Sequence, residues 1–203
     1  MDTTDKAKRF YNSEANMFVV KIVLVYMVWK AVRYFLLLHG PLSSWWDGFV
    51  CFIGMQYAWL TSMILSLFNE HTVPVSQAFF DPEKGRTITA GAVFYPLPLN
   101  RIIYVVEHCL AIPATIIFIS AIAIYRGSWK NKLWFIPMGV FAIACINLIR
   151  LVLLCYTFAH FSKLFFDVNH SVIYVAVTYT LIMLLIIWWM KKYGKEVVAG
   201  VGS

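Results

Sequence analysis

The sequence predicts an all-α, polytopic membrane helix bundle of about five transmembrane helices with one longer extracytoplasmic loop. Three observations lead there. Of 203 residues, 61% are hydrophobic and only 13% are charged, against about 45–50% and about 25% in an ordinary soluble domain. The apolar residues fall in runs, and the runs approach the roughly 20 residues that one membrane crossing needs. The Lys and Arg residues sit at the ends of those runs and form no patch or arm, so the net charge of +7 does not indicate nucleic acid. This composition also excludes a water-soluble globular enzyme, a disordered chain and a disulfide-rich secreted fold. Residues 1–203 are expected to form a single integral membrane domain, with N-terminal helices at 17–68, an extracytoplasmic loop at 69–101 and core helices at 102–192.

The candidate spans, in order, are Met17–Leu38, Trp46–Phe68, Ile102–Tyr125, Leu133–Phe158 and Val172–Met190. The polar N-terminus carries no cleavable signal pattern, so the first apolar segment is expected to stay as a helix. It either spans the membrane or lies at the interface. Between the second and third spans, Asn69–Arg101 contains Pro74, Pro82, Pro96 and Pro98, which forbid a continuous helix. Within it, Thr87–Tyr95 has β-character and admits a short hairpin. Arg126, Lys130 and Lys132 mark one cytoplasmic loop, and Lys191, Lys192 and Lys195 mark another. Lys30 and Arg33 would mark the inner end of the first span. The pairs Trp45–Trp46 and Trp188–Trp189 fit interfacial aromatic belts.

The cysteines Cys51, Cys109, Cys145 and Cys155 show no CxxC spacing, and all lie in or beside apolar segments. Neither a disulfide framework nor a zinc site is expected. His39, His71 and His160 lack metal-ligand spacing, so no metal and no cofactor is expected. Polar groups inside apolar spans are costly and face a protein interior. Cys109 lies 17 residues before Arg126, Arg150 lies 18 after Lys132, and His170 lies 21 before Lys191. At 1.5 Å per helical residue these are roughly 25, 27 and 31 Å from the cytoplasmic boundary. A thiol, a guanidinium and an imidazole thus converge on the outer level of a core about 30 Å thick. An imidazole can deprotonate a thiol, and a fixed guanidinium can stabilise a thiolate or an oxyanion.

The motifs EHCLAI (Glu107–Ile112), NLIR (Asn147–Arg150) and the NH of DVNH (Asp167–His170) carry a resemblance. In the order Cys, Arg, His, each near the outer end of a helix, they resemble the exosortase/archaeosortase family of membrane cysteine transpeptidases, over roughly Tyr95–Lys192. The resemblance implies cleavage of PEP-CTERM-like C-terminal sorting tails of exported proteins, each made of a short motif, a transmembrane helix and a basic cluster. It implies a thioester intermediate and transfer to an unknown acceptor nucleophile, at the periplasmic side of a bacterial inner membrane. Carried over, Cys109 is the nucleophile, Arg150 the electrostatic stabiliser and His170 the base and later the acid. Leu110 and Ala111 stand where many family members have Ser-Gly, so no oxyanion role is carried over to that turn.

Asn147, three residues before Arg150 on one helix face, is expected to orient Arg150 or a substrate carbonyl. Glu107 would sit about 200° from Cys109 on a helix. It is expected to pair with Arg101 or Arg150, or to fix the helix end. Asp167 and Asn169 are expected to hold His170. The competing readings are packing for Cys109, snorkelling for Arg150 and a plain helix start for His170. Cys155 is the rival nucleophile. A non-enzymatic membrane scaffold for export or exopolysaccharide systems is the alternative function, and a transporter ranks below it.

Overall fold

The computed structural model describes residues 3–82, 84–96, 99–125, 128–161 and 174–193. Helix α1 (Thr3–Val32) continues into a π-helical turn (Arg33–Leu38) and is followed by α2 (Ser43–Ser66). Strands β1 (Val73–Asp81), β2 (Arg86–Tyr95) and β3 (Arg101–Val105) come next. A 3-10 turn (Glu107–Leu110) then leads to α3 (Ile112–Ile124), α4 (Trp129–His160) and α5 (Tyr174–Tyr193).

The strand sequences VPVSQAFFD and RTITAGAVFY are rich in β-branched and aromatic residues, which suit a pleated, half-buried surface. They pair antiparallel from Val73↔Phe94 to Asp81↔Arg86. At the tip, Gly85 adopts φ +64° and its N–H bonds the Asp81 carbonyl at 2.9 Å. β3 pairs with the other edge of β2, from Gly91↔Val105 to Tyr95↔Arg101, giving the order β1-β2-β3. Pro74 is tolerated because β1 is an edge strand.

Helix α2 packs across this sheet at very close range. A Cβ at Gly91 would fall 2.4 Å from the Met55 backbone nitrogen, and one at Gly54 would fall 3.0 Å from the Val105 carbonyl oxygen. Only a helix and a strand that both lack side chains there can approach so closely. The tip of the hairpin is tied to the start of α2 by charge. Arg86 bonds Asp47 at 2.5 Å and Ser43 at 3.0 Å, and Lys84 also pairs with Asp47.

Among the described residues, two apolar cores result. One, with Trp46, Val50, Leu65, Val93, Tyr95, Val105, Leu151 and Cys155, joins α2, the sheet and α4. The other, with Ala114, Phe118, Ile122, Phe135, Ile143, Ile182 and Trp189, joins α3, α4 and α5. The 3-10 turn and Ala111 lie at their junction, since Leu110 packs in the first and Ala111 in the second.

The expected all-α bundle of about five transmembrane helices is therefore wrong. The segment 69–101, expected to be a loop, builds most of a three-stranded antiparallel sheet. Among the described residues, two helices, Ser43–Ser66 and Trp129–His160, are long and apolar enough to cross a membrane. The expected span Ile102–Tyr125 divides into strand, 3-10 turn and a helix of 13 residues. Such a helix is about 20 Å long, short of a core of about 30 Å. The cause is that Ile102-Ile103-Tyr104-Val105 completes the sheet, which an apolar run in isolation does not reveal. The open edges of β1 and β3 do not tolerate lipid, so the face of α2 that carries the sheet is a protein-facing surface.

The tertiary structure reassigns other residues as well. Lys132, expected to mark a cytoplasmic loop, is 5% exposed in the first turn of α4. Its Nζ donates to the Ala123 carbonyl at 2.9 Å, closing the C-terminal end of α3, where a cation is favoured. Trp46 and Trp189, expected in interfacial belts, are core residues, whereas Trp45 and Trp188 are exposed.

Candidate functional site

Cys109 is held in place through the backbone of its own turn. Its N–H bonds the Val106 carbonyl at 2.8 Å, and its carbonyl accepts from Asn147 Nδ2 at 2.6 Å. Asn147 is 1% exposed on α4, so this bond ties the 3-10 turn to the middle of the longest helix. One turn further along α4 lies Arg150, whose guanidinium is close enough to favour the Cys109 thiolate. The Arg150 charge thus acts on Cys109, although a helical rise from Cys109 does not apply. Cys109 precedes α3, and Ala111 between them takes the left-handed conformation at φ 52°.

Burial outweighs the cation. Half-buried as a residue, Cys109 has its sulfur among protein atoms, and desolvation pushes the thiol above its ordinary range. Arg150 and the Val106 bond act in the opposite direction. The resting group is a neutral thiol, and forming the thiolate requires a base.

Glu107 does not meet the partners expected of it. Its carboxylate accepts from Arg33 Nε at 2.6 Å and from the Trp46 indole N–H at 3.1 Å, and it is almost wholly enclosed. It therefore fixes the turn that carries Cys109 against α1 and α2. Arg101 instead donates to the Phe158 carbonyl at 2.9 Å. Because Arg33 touches Glu107, the end of α1 lies at the level of Cys109. This removes Arg33 as a marker of the opposite membrane face.

Cys155, the rival nucleophile, is fully buried close to Cys109, where a peptide has no approach. Cys51 and Cys145 are half-buried on α2 and α4. His170, Asp167 and Asn169 lie outside the described residues. Among the described residues, no three His, Cys, Asp or Glu side chains come together as a metal site. A cavity of about 280 Å³ lies on the Glu107 side of the turn, lined by Arg33, Asp47, Lys84 and Val106 among others, and does not include Cys109.

Arg33, Trp46 and Tyr57 escaped the sequence reading as site neighbours. The Tyr57 hydroxyl lies beside Asn147 and donates to the Ala144 carbonyl at 3.4 Å. No periodicity signals these residues. The one available hint was that Glu107 is an acid in an apolar stretch and needs a partner. Comparison of the chain with family models, with curated proteins and with solved structures finds no match.

Proposed function

We propose that the chain is a membrane-associated cysteine peptidase or transpeptidase that cleaves C-terminal tails of exported proteins through a thioester on Cys109. The observation that carries this reading is the grouping of Cys109 on the 3-10 turn with Asn147 and Arg150 on α4, joined by the 2.6 Å bond from Asn147 to the Cys109 carbonyl. The two long apolar helices support an association with the membrane. In this reading the site faces the periplasmic side of a bacterial inner membrane. Arg150 and the exposed Lys130 stand 20 residues apart on α4, about 30 Å.

In the proposed chemistry, His170 takes the Cys109 proton as the sulfur attacks the tail's carbonyl carbon. The carbonyl π-electrons move to oxygen, and Arg150 stabilises the resulting oxyanion. Collapse expels the amine, which receives the proton from the imidazolium, and leaves an acyl thioester. Water or an acceptor amine then attacks the thioester and releases the thiol. The role of His170 comes from the family resemblance. The need for a base is independent of it, because the buried thiol is neutral at rest.

The test is to co-express a tailed substrate and follow its size. Cys109→Ala and Cys109→Ser are expected to abolish processing. Arg150→Lys is expected to impair it, because an ammonium does not reproduce the planar fork. Wild-type processing by both cysteine variants would refute the chemistry and leave the non-enzymatic scaffold as the reading.

A further inference from the structure

Two buried polar atoms beside Cys109 have no hydrogen-bond partner among the described residues: Asn147 Oδ1 and Arg150 Nε. The orientation of the Asn147 amide is set by its neighbour. Only an N–H can face the Cys109 carbonyl at 2.6 Å, so the nitrogen points there and the remaining atom is an acceptor. The nearby Tyr57 hydroxyl donates to the Ala144 carbonyl. Arg150 Nε carries a hydrogen and can only donate. Buried groups of this kind are costly when unpaired, and they tend to mark a function.

The two atoms belong to residues i and i+3 of α4, which puts them on one face with Cβ atoms roughly 5–6 Å apart. An acceptor and a donor side by side match one extended peptide residue. In a strand, a residue's own N–H and C=O point to the same side and bond one neighbour. We infer that Asn147 Oδ1 and Arg150 Nε read the backbone of the residue whose carbonyl Cys109 attacks, Asn147 taking its N–H and Arg150 its carbonyl oxygen. The inference rests on the proposed peptidase reading and names its substrate class: an extended segment with a secondary amide N–H on the acyl residue. Proline or an N-methylated residue is excluded there. Asn147 carries two amide hydrogens, one on the Cys109 carbonyl and the other toward the Tyr57 oxygen, so what the side chain offers a peptide is its acceptor. Cys109 and Arg150, each half-buried, form the side of entry.

The experiment is an amide-to-ester scan. Synthetic tail peptides, each with one backbone N–H replaced by oxygen, are processed by the full-length enzyme in proteoliposomes. The expected result is a loss of about tenfold in kcat/KM at the acyl residue, as for one buried donor removed, and little at the other non-scissile positions. Asn147→Ala is expected to lose activity on the all-amide peptide and to lose its sensitivity to the ester at that position. Asn147→Asp, which keeps an acceptor but loses the N–H on the Cys109 carbonyl, is expected to be less active on every peptide yet to retain that sensitivity. The coupling separates recognition from mere support of the Cys109 turn. A scan in which no position costs wild type more than twofold overturns the inference, and so does an equal ester penalty in wild type and Asn147→Ala. Either result leaves the peptidase reading standing. Processing that does not depend on Cys109 overturns both.

Discussion

Glu107 offers the sharpest test of how the site is supported. Its carboxylate is 7% exposed and holds Arg33, itself 11% exposed, at 2.6 Å, while its second oxygen holds the Trp46 indole at 3.1 Å. Removing one partner of a buried pair costs about 3–5 kcal/mol, because the other charge is stranded. The lost indole bond adds about 1 kcal/mol. Arg33 keeps further interactions, which places Glu107→Ala near the lower end of the sum, at about 4 kcal/mol. Glu107→Gln preserves the shape but has one acceptor oxygen for two donors, and is expected to cost about 2 kcal/mol. The double variant Glu107→Met with Arg33→Met removes both charges. It is expected to recover to within about 1 kcal/mol of wild type, since an apolar pair of similar volume replaces the ions. The assay is equilibrium unfolding by denaturant in mild detergent, with tryptophan fluorescence as the probe. A Glu107→Ala protein within about 0.5 kcal/mol of wild type would show that the pair does not hold the turn, and a double variant as unstable as the single would show that stranded charge is not the cause.

Other consequences follow from single positions. Gly91→Ala drives a methyl group into the α2 backbone at 2.4 Å and is expected to cost about 3 kcal/mol or more, whereas Gly48→Ala, with nothing within 4 Å, should stabilise α2 by about 0.5–1 kcal/mol. The same unfolding assay reads both, and equal effects would contradict the close packing of helix on sheet. Ala111, at φ 52°, should accept glycine with little change, as relief of strain offsets the entropy lost. A β-branched valine there should cost about 2 kcal/mol. Thermal melts distinguish the two, and a neutral valine would rule out the left-handed turn. The Cys109 thiol, raised by burial, should alkylate slowly at neutral pH and faster as pH rises beyond the ordinary thiol range. Because Arg150 pulls the pKa down, Arg150→Met should shift that rise to still higher pH. Labelling of Cys109 by iodoacetamide, read by mass spectrometry, checks both signs, and a midpoint below neutrality would contradict the burial.

Much of the helical framework was legible, and the reason is local. The apolar runs around Trp46–Phe68 and Leu133–Phe158 lie almost wholly within α2 and α4, because continuous hydrophobicity over that length leaves few alternatives to a helix. The prolines of the segment 69–101 excluded a helix there, and the β-character of Thr87–Tyr95 belongs to β2. The site was legible through its chemistry more than its geometry. Cys109, Asn147 and Arg150 were singled out as polar groups in apolar surroundings; Asn147 bonds the Cys109 carbonyl and the Arg150 charge acts on the thiol, while His170 lies outside the described residues. A helical rise does not give the depth of Cys109, because the chain runs from it through a 3-10 turn and the left-handed Ala111 before α3 begins.

Composition and local pattern settled which stretches are helical, where the chain must turn, and which polar side chains are too costly to lie idle in an apolar setting. Packing settled the rest. It made Ile102–Val105 a third strand because β2 had a free edge, turned Trp46 and Lys132 inward to satisfy a carboxylate and a helix end, and gave Glu107 a partner 74 residues away. Hydrogen bonds and ion pairs between distant residues depend on which surfaces the fold brings within about 3 Å, and the order of residues along a chain carries no direct record of that distance.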